Sequence, residues 1–199
     1  MNKLPVMEQF LTLQGEGFHT GRSAVFVRLG GCDVGCVWCD VKESWDISKH
    51  PLKSLNEILD EVNKYSTDFV VITGGEPSMH DLTLFIKALK SQNKYIAIET
   101  AGTNTLPKGI DWICFSPKKF KKPIDEIYTY ANELKVVIYH PSDLMWAKEH
   151  ANKLNNKAQL YIQPEWSRSD EHMQIILDFL NENPNWKLSL QTHKFLNIP

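Results

Sequence analysis

Residues 32–40 read Cys32-Asp33-Val34-Gly35-Cys36-Val37-Trp38-Cys39-Asp40 and hold three of the four cysteines in this chain of 199 residues. The three cysteines are spaced C-x3-C-x2-C, just after an apolar run that ends at Leu29. A thiolate is a soft metal ligand, and a short loop that carries three thiolates brings them to one centre. We therefore interpret this loop as a metal or cluster site around which the rest of the chain is arranged.

The number of thiolates indicates which centre the loop holds. Structural zinc sites close four ligands around the ion, but the fourth cysteine, Cys114, lies far along the chain in the apolar stretch 112–115. A cubane iron–sulfur cluster normally takes four thiolates, so three leave one iron open, and an open position is typical of a catalytic site. Three thiols cannot pair off as disulfides, and no other feature indicates secretion. The pattern favours a cluster held by Cys32, Cys36 and Cys39, with a zinc site as the weaker alternative.

The composition indicates one globular domain, residues 1–199, without a nucleic-acid or membrane partner. Hydrophobic residues make up 42% of the chain, which is enough for a full core. The formal net charge of −2 gives no basic face for nucleic acid, and the one basic cluster, Lys118 to Lys122, is interpreted mainly as a solvated loop. No apolar run reaches the length of a membrane span, and residues 1–20 lack a signal-peptide core. Because free thiols favour a reducing compartment, we expect a cytoplasmic protein.

Short apolar strands alternate with amphipathic helices from residue 54 onwards. Ser54 and Glu57 form a capping-box pattern ahead of the first helix, and Asp81 and Ser169 are predicted to cap two later helices. The alternation predicts βαβ units with right-handed crossovers and a parallel sheet. A complete eight-fold barrel typically needs about 250 residues, so we expect an α/β fold: an incomplete, open (β/α) barrel of six or seven parallel strands. The predicted strands are 23–29, 69–73, 95–99, 112–115, 134–139, 160–163 and 186–191, preceded by a short one within 2–13.

Polar residues gather just after the predicted strands. In a parallel barrel these points lie on one rim, where active sites are built. Seven such loops in succession are difficult to explain as packing alone. The loops are 32–40, 73–77, 99–103, 116–118, 139–142, 163–166 and 191–194.

The loop Gly74-Gly75-Glu76-Pro77 has two interpretations. Its glycines suit a turn, and Pro77 suits the start of a helix. Bare glycine backbone also allows a ligand to approach closely. Ser116-Pro117-Lys118 and Gln163-Pro164-Glu165-Trp166 carry less information when taken alone, since a plain turn and a strand end would explain them.

The cysteine loop, the aromatic Trp38 before its last cysteine and the GGEP loop together resemble the radical S-adenosylmethionine enzymes. The resemblance implies a 4Fe–4S cluster on Cys32, Cys36 and Cys39, whose open iron binds the amino and carboxylate groups of S-adenosyl-L-methionine. It also implies a set of residues that contact this cofactor. These are Trp38, Gly74, Gly75, Glu76, Ser116, Pro117, Lys118, Gln163, Pro164, Glu165 and Trp166.

Three further features narrow the resemblance from this large group of enzymes to one family. They are residues 13–17, Arg28 and the ending 191–199. With the loops above they are similar to the 7-carboxy-7-deazaguanine synthase family, from residue 7 to the last residue. That family makes the deazapurine core of queuosine and related compounds. A 5′-deoxyadenosyl radical takes a hydrogen from C6 of 6-carboxy-5,6,7,8-tetrahydropterin, the pterin ring contracts and ammonia is lost. The resemblance further implies an electron donor of flavodoxin or ferredoxin type and a homodimer.

The side chains of these stretches suit a small polar substrate. Arg28 offers a planar fork for the substrate carboxylate, although a surface arginine on a strand is the alternative. Gln14 and Glu16 offer amide and carboxylate groups for the pterin edge, and His193 is either a substrate ligand or a histidine at a strand end. The last residue of that family reaches the substrate, so we expect a C-terminal extension to reduce turnover. The predicted substrate-binding residues are Leu13, Gln14, Gly15, Glu16, Arg28, Thr73, His193 and Pro199.

One position departs from the family's pattern. The family often carries Thr or Ser directly after the residue at Asp40, and that hydroxyl helps to hold magnesium. Here the position is Val41, which has no oxygen, whereas magnesium requires oxygen ligands. We therefore treat a magnesium site at Asp40 and Val41 as doubtful and expect weak dependence on the ion. Lys42 or Lys118 would then supply the positive charge.

Two other functions remain open at this point. An activase that installs a glycyl radical would share the cluster and GGEP loops, but it needs a surface for a large partner protein. A non-catalytic iron–sulfur carrier or zinc-binding module would need a fourth ligand near the triplet and no GGEP loop. The remaining histidines have no special context and are expected at the surface: His19, His50, His80, His150 and His172.

Overall fold

The computed structural model describes residues 3–155 and 157–199, whose strands form one nine-stranded sheet. The strands are β1 (Lys3–Leu13), β2 (Ser23–Leu29), β3 (Leu52–Ser54), β4 (Phe69–Gly74), β5 (Tyr95–Thr100), β6 (Trp112–Phe115), β7 (Glu133–Ile138), β8 (Gln159–Pro164) and β9 (Trp186–Leu188). The helices are α1 (Leu55–Val62), α2 (Thr83–Ser91), α3 (Ile127–Tyr130), α4 (Asp143–Ala151), α5 (Ser169–Glu182) and α6 (Thr192–Leu196).

The sheet is an open barrel. Its order is β3-β1-β2-β4-β5-β6-β7-β8-β9, and the seven strands from β2 to β9 in this order are parallel. The prediction of an incomplete barrel of six or seven parallel strands is confirmed. Two antiparallel strands extend the β2 edge, because β1 pairs with β2 and with β3. β1 is eleven residues long, longer than the short strand that the sequence indicated, and β3 was not predicted.

The two faces of the parallel sheet differ in chemistry, because successive side chains of a strand point to opposite faces. Val70 and Ile72 of β4 belong to the main hydrophobic core, together with side chains of α1, α2, α4 and α5. Burying one such aliphatic side chain stabilises the fold by about 1.5–3 kcal/mol. Phe69 and Val71 belong to a separate small cluster with Ala97 of β5. The inner face therefore carries little apolar surface, which leaves room for polar groups inside the barrel.

The predicted capping box is confirmed, whereas the other two predicted cap residues do not occupy the cap position. Ser54 and Glu57 form the reciprocal capping box, with Ser54 N donating to Glu57 Oε2 at 2.7 Å. Leu82 occupies the cap position of α2, one residue after Asp81, although Asp81 Oδ1 accepts from Thr83 N at 3.0 Å. The assignment of Ser169 as a cap is wrong, because Ser169 is the first residue of α5 and Arg168 occupies the cap position.

Several histidine assignments also change. His150 and His172 are only 5% and 2% exposed, so the expectation that they lie at the surface is wrong. His150 Nδ1 lies 2.7 Å from Tyr128 Oη, and burial lowers the pKa of His150 to about 4. The last strand ends at Leu188 rather than at residue 191, and His193 lies on α6. The interpretation of His193 as a histidine at a strand end is therefore wrong.

Among residues 3–155 and 157–199, no helix is both long enough and apolar enough to cross a membrane.

Candidate active site

A cavity of about 450 Å³ opens at the carboxyl ends of the parallel strands. Every residue that the sequence assigned to a site lines this cavity, except Pro117. Pro117 lines a neighbouring cavity of about 260 Å³, which shares Trp38 and Lys118 with the first. The fold thus brings the predicted residues together, while their individual roles as ligands remain predictions.

The cysteine loop is held by backbone hydrogen bonds to the turn that follows it. Cys32 N donates to Trp45 O at 3.2 Å, and Cys39 N donates to Cys36 O at 3.0 Å. Cys36 is buried, whereas Cys32 and Cys39 are half-buried, and all three are free thiols. The loop therefore presents three thiols to one cavity.

The three thiols fit an iron–sulfur cluster. Burial raises the pKa of Cys36 to about 11, with Lys118 opposing and the charges of Cys39 and Cys32 adding to the rise. Cys32 and Cys39 pack against the small cluster that contains Cys36, so the three thiols lie together. Metal binding would displace their protons. In residues 3–155 and 157–199, no group of three Cys, His, Asp or Glu side chains is arranged around a single ion. A cubane instead gives each thiolate its own iron, so it does not require that arrangement.

Cys114 is not part of this group. It is buried on β6 and does not line the cavity. Burial raises the pKa of its thiol well above the ordinary value, and the nearby acids Glu133 and Glu99 add to the rise. Cys114 therefore belongs to the barrel interior, and the three cysteines of the loop are the thiols that the cavity contains.

The glycines of the GGEP loop lie so close to the backbone of residues 29–31 that a side chain would not fit. A Cβ atom on Gly75 would lie 2.2 Å from Gly31 O, and one on Gly74 would lie 2.1 Å from Leu29 O. Gly75 N donates to Leu29 O at 3.0 Å, and Glu76 N donates to Gly31 O at 2.9 Å. The GGEP loop thus supports the start of the cysteine loop directly, which the sequence analysis did not anticipate.

Glu76 ties the ends of two strands together. Its Oε1 accepts from Thr100 Oγ1 at 2.5 Å and from Ser78 N at 3.0 Å, and its Oε2 accepts from Ala101 N at 2.7 Å. The side chain is 2% exposed. The carboxylate therefore fixes the wall between β4 and β5, and its contact with the cofactor stays a prediction.

Gln14 and Glu16 reach the cavity from the opposite end of the barrel. They belong to segment 14–19, which is the first part of the connection between β1 and β2. His19 of this segment packs between Phe69, Tyr95 and Trp112, the first residues of β4, β5 and β6. The segment therefore plugs the lower end of the open barrel. Gln14 and Glu16 form the cavity floor, which their position in the sequence does not reveal.

The floor contains a buried lysine that the sequence analysis missed. Lys135 Nζ donates to Glu16 Oε2 at 2.6 Å and to Glu99 Oε2 at 2.8 Å. Gln14 Nε2 donates to Glu99 Oε1 at 3.1 Å, and Gln191 Nε2 donates to Glu16 Oε1 at 2.9 Å. The available signal was a lysine inside the apolar strand 133–138. Strand alternation places Lys135 on the face opposite to Leu134 and Val136.

Arg28 lines the cavity beside the floor. Its Nε donates to Glu8 Oε1 at 2.6 Å, and its side chain is 18% exposed. The guanidinium carbon lies 6.0 Å from the ring centre of Phe10. One donor of the fork is used by Glu8, which orients the terminal nitrogens. Arg28 is therefore a half-buried cavity residue rather than an ordinary surface arginine.

The last residues of the chain form one wall. Thr12 Oγ1 donates to Pro199 O at 2.9 Å, and Thr192 N donates to Gly15 O at 2.9 Å. His193 packs against Gly15 and lines the cavity. Burial lowers the pKa of His193. The wall thus brings His193 and Pro199 next to the floor and β1.

The predicted magnesium position does not fit that ion. Val41 offers no oxygen, and Asp40 Oδ2 lies 3.0 Å from Lys194 Nζ and 3.5 Å from Gln191 Nε2. An ammonium already pairs with this carboxylate, whereas magnesium requires several oxygen ligands. The cation that pairs with Asp40 is Lys194, which the sequence analysis did not name, and the suggestion that Lys42 or Lys118 replaces the charge of magnesium stays a prediction.

The chain resembles known proteins over nearly its whole length. Residues 26–138 match the family model of the Radical SAM superfamily. The chain is 50% identical over 196 residues to the 7-carboxy-7-deazaguanine synthase of Flavobacterium psychrophilum, which covers 98% of this chain and 93% of that protein. It is 45% identical over 194 residues to the synthase of the same name from Synechocystis sp., which covers 98% and 93%.

A solved structure has the same fold. The crystal structure of QueE from Escherichia coli superposes with a TM-score of 0.79 at 29% sequence identity, covering 94% of this chain and 93% of that chain. The 7-carboxy-7-deazaguanine synthase of Escherichia coli K12 is 33% identical over 220 residues, covering 98% of each protein. Sequence and fold therefore point to the same relatives.

Proposed function

The chain belongs to the 7-carboxy-7-deazaguanine synthase family of the radical S-adenosylmethionine superfamily, and we propose that it converts 6-carboxy-5,6,7,8-tetrahydropterin to 7-carboxy-7-deazaguanine with loss of ammonia. The observation that carries this proposal is the cavity. It joins three free thiols at the rim to a floor of amide and carboxylate groups and to Arg28. A glycyl-radical activase or an electron carrier would have no use for such a floor.

The rim is proposed to hold the cofactors. Cys32, Cys36 and Cys39 bind the 4Fe–4S cluster, and S-adenosylmethionine lies against Trp38 and the loops that begin at Gly74, Ser116 and Gln163. When bound, this pair of cofactors supplies the one-electron chemistry: reductive cleavage of the sulfonium and abstraction of the C6 hydrogen. Lys118 contributes a cation beside Cys36, which opposes the rise that burial causes in the pKa of that thiol.

The floor and walls are proposed to hold the substrate. Arg28 binds the substrate carboxylate through the terminal nitrogens that Glu8 leaves free. Glu16 and Gln14 accept and donate hydrogen bonds at the pterin edge. Thr73, which pairs with Arg28 across β2 and β4, lies beside the carboxylate. His193 and Pro199 close the wall on the side of Gly15.

Three further features belong to the proposal. An external one-electron donor of flavodoxin or ferredoxin type reduces the cluster, and two copies of the chain form a homodimer in the cytoplasm. The three free thiols suit a reducing compartment. The mechanism includes no magnesium step, because the pairing of Asp40 with Lys194 and the absence of a hydroxyl at Val41 do not suit that ion.

Anaerobic reconstitution tests the proposal. The protein is loaded with iron and sulfide, reduced, and supplied with S-adenosylmethionine and the carboxytetrahydropterin. We expect four irons per chain, formation of 5′-deoxyadenosine and a deazaguanine product. Product formation would exclude the carrier and zinc alternatives. A cluster that cleaves S-adenosylmethionine without converting the pterin would overturn the proposal and favour the activase.

Cysteine variants separate the three-ligand site from a four-ligand site. Cys36→Ala should prevent cluster assembly, whereas Cys114→Ala should keep iron content and turnover and lose only some packing in the barrel. Iron content and visible absorption report the result. Loss of the cluster in Cys114→Ala would contradict the three-ligand model.

A further inference from the structure

Lys135 is a charged residue of the cavity to which the proposed function gives no role. It lies on β7 with a side chain 4% exposed, and it lines the cavity. Burying an ammonium is costly unless acidic partners compensate. We propose that Lys135 is a positioning residue that makes the floor selective for a planar heterocycle with adjacent N–H donors. This inference rests on the proposed function, because it assigns the pterin's amino-pyrimidinone edge to the floor.

The geometry places one ammonium between two carboxylates. Lys135 Nζ is 2.6 Å from Glu16 Oε2 and 2.8 Å from Glu99 Oε2. Glu16 comes from segment 14–19 and Glu99 from β5, so the ammonium of Lys135 on β7 bonds to both of these elements at once. The ammonium therefore sets the positions of both carboxylates relative to each other.

The carboxylates keep acceptor capacity for a ligand. Glu16 Oε1 accepts from Gln191, Glu99 Oε1 accepts from Gln14, and both Oε2 atoms accept from Lys135. A carboxylate oxygen accepts about two hydrogen bonds, so each oxygen retains one acceptor site. Adjacent N–H groups of a flat ring match such acceptors as a guanidinium matches a carboxylate.

The positive charge of Lys135 keeps the carboxylate of Glu16 a hydrogen-bond acceptor. Burial alone would raise the pKa of Glu16, but the Lys135 charge and its hydrogen bond, with help from Gln191, lower that pKa to about 2. Without the ammonium, burial and the neighbouring carboxylate would favour a protonated Glu16. A protonated carboxyl would point an O–H donor at the N–H donors of the substrate, so the hydrogen bond would be lost. The other titratable groups around this site are Asp40, Cys114, Lys118, Glu133, His193 and Lys194.

A purely structural ion pair does not explain the arrangement. Glu133 lies two residues earlier on β7 and is also buried, but it bonds to Trp112 Nε1 and Phe18 N and does not line the cavity. Lys135, Glu16, Glu99 and Gln191 all line it. The acidic partners of Lys135 are thus exposed to a ligand, whereas the carboxylate of Glu133 serves packing.

The test measures pterin affinity against pH in the reconstituted holoenzyme. The variants are Lys135→Met, which keeps the length of the side chain, and Lys135→Arg, which keeps the charge. The matched control is Lys187→Met, an exposed lysine of β9 that bonds to Gln159. Dissociation constants for the carboxytetrahydropterin are measured between about pH 5 and 8, where a raised carboxyl pKa would fall. Iron content and S-adenosylmethionine affinity are measured in parallel.

The parent and Lys187→Met should bind the pterin with the same pH profile, because Lys135 holds the pKa of Glu16 at about 2, below the measured range. Lys135→Met should bind about 30-fold more weakly near pH 6, with a further rise in affinity as the pH rises and Glu16 ionises. Lys135→Arg should restore the profile of the parent. Equal affinities and equal pH profiles in the parent and Lys135→Met would overturn the inference.

A second variant covers the case in which Lys135→Met fails to fold. Glu99→Gln keeps the shape of the side chain and should weaken pterin binding about tenfold, because one acceptor becomes a donor. Unchanged affinity in Glu99→Gln would overturn the inference as well.

The proposed function and the role of Lys135 fail in different ways. A parent enzyme that makes no deazaguanine refutes the proposed function. A productive parent whose floor variants bind normally refutes the role of Lys135 alone.

Discussion

Two lysines lie at opposite ends of the cavity, of which Lys118 is half-buried and Lys135 is buried. Lys118 Nζ donates to Ser116 O at 2.8 Å and lies 5.7 Å from the ring centre of Trp38, beside the thiols. Lys135 lies at the floor between two carboxylates. A cation near a thiol favours the thiolate that metal binding requires, and a cation near a carboxyl favours the carboxylate. Each end of the cavity thus carries one lysine whose charge favours the ionised form of the groups beside it.

Arg28 provides the first prediction at this scale. Arg28→Ala should weaken binding of the carboxytetrahydropterin about a hundredfold, because a charge-assisted contact to the substrate carboxylate is lost. Uncoupled cleavage of S-adenosylmethionine should persist. Arg28→Lys should restore binding only in part, since an ammonium does not reproduce the planar fork. Binding is measured by equilibrium titration.

Arg22→Ala is the matched control for Arg28. Arg22 is paired with Asp68 at 3.2 Å, its guanidinium carbon lies 4.2 Å from the ring centre of Phe69, and it does not line the cavity. Substrate affinity should be normal in this variant. Normal affinity in Arg28→Ala as well would return Arg28 to a structural role.

The pairing of Asp40 with Lys194 gives a prediction about magnesium. Parent turnover should depend weakly on the ion, because the carboxylate already holds an ammonium at 3.0 Å. The double variant Val41→Thr with Lys194→Met supplies a hydroxyl and removes the competing cation, so it should gain magnesium dependence. Turnover is titrated against magnesium after removal of bound ions, with each single variant beside the double. An absolute requirement in the parent would contradict the prediction.

At the scale of secondary-structure elements, the main feature is the contact between the GGEP loop and the cysteine loop. β2 and β4 run parallel side by side, and their following loops meet where Gly75 contacts the backbone of Gly31. From the sequence, the two glycines of the GGEP loop were explained either by a turn or by the close approach of a ligand. The structure adds a third reason, because the loop that carries the thiols rests on the GGEP backbone.

Gly75→Ala should therefore impair the cluster although every ligand remains. An added Cβ would overlap Gly31 O, and relieving such overpacking typically costs about 1–3 kcal/mol. We expect lower iron retention and faster cluster loss in air, measured by visible absorption. Gly21→Ala is the control: Gly21 has a positive φ, which Gly75 does not, so an alanine is strained there, but an added Cβ would lie in open space. Its iron content should be normal. Equal retention in both variants would remove this role from Gly75.

Elements with local signals were predictable from the sequence. The capping box at Ser54 and the strand 23–29 were placed correctly because their patterns involve only neighbouring residues. α6 and β3 are short, and tertiary contacts rather than periodicity define them. Lys135 was missed because a lysine in a strand is buried only when distant partners, here Glu16 and Glu99, compensate its charge. Sequence patterns do not contain that distance information.

At the scale of the whole molecule, an open barrel must close its cavity by other means. The sheet ends at β9 on one side and continues through β1 to β3 on the other. Segment 14–19 plugs the lower end, and residues 191–199 run from the end of β9 to β1, where Pro199 meets Thr12. These two segments also touch each other, through Thr192 N and Gly15 O. The cavity walls are therefore completed by two stretches far apart in sequence.

The last prediction tests this closure by the C-terminal wall. Deleting residues 197–199 removes the contact of Pro199 with Thr12 and the hydrogen bond from Ile198 N to His193 O at 3.1 Å. His193 then loses its anchor while the cysteine loop keeps its own backbone contacts. We expect iron content and S-adenosylmethionine cleavage to stay near normal while pterin affinity falls about tenfold. Thr12→Val, which breaks only the contact with Pro199, should give a smaller loss in the same direction. A tag before Lys3, whose strand end pairs with β3, should leave affinity unchanged. If the variant that lacks residues 197–199 binds the pterin as tightly as the tagged protein does, these residues do not form a wall of the substrate site.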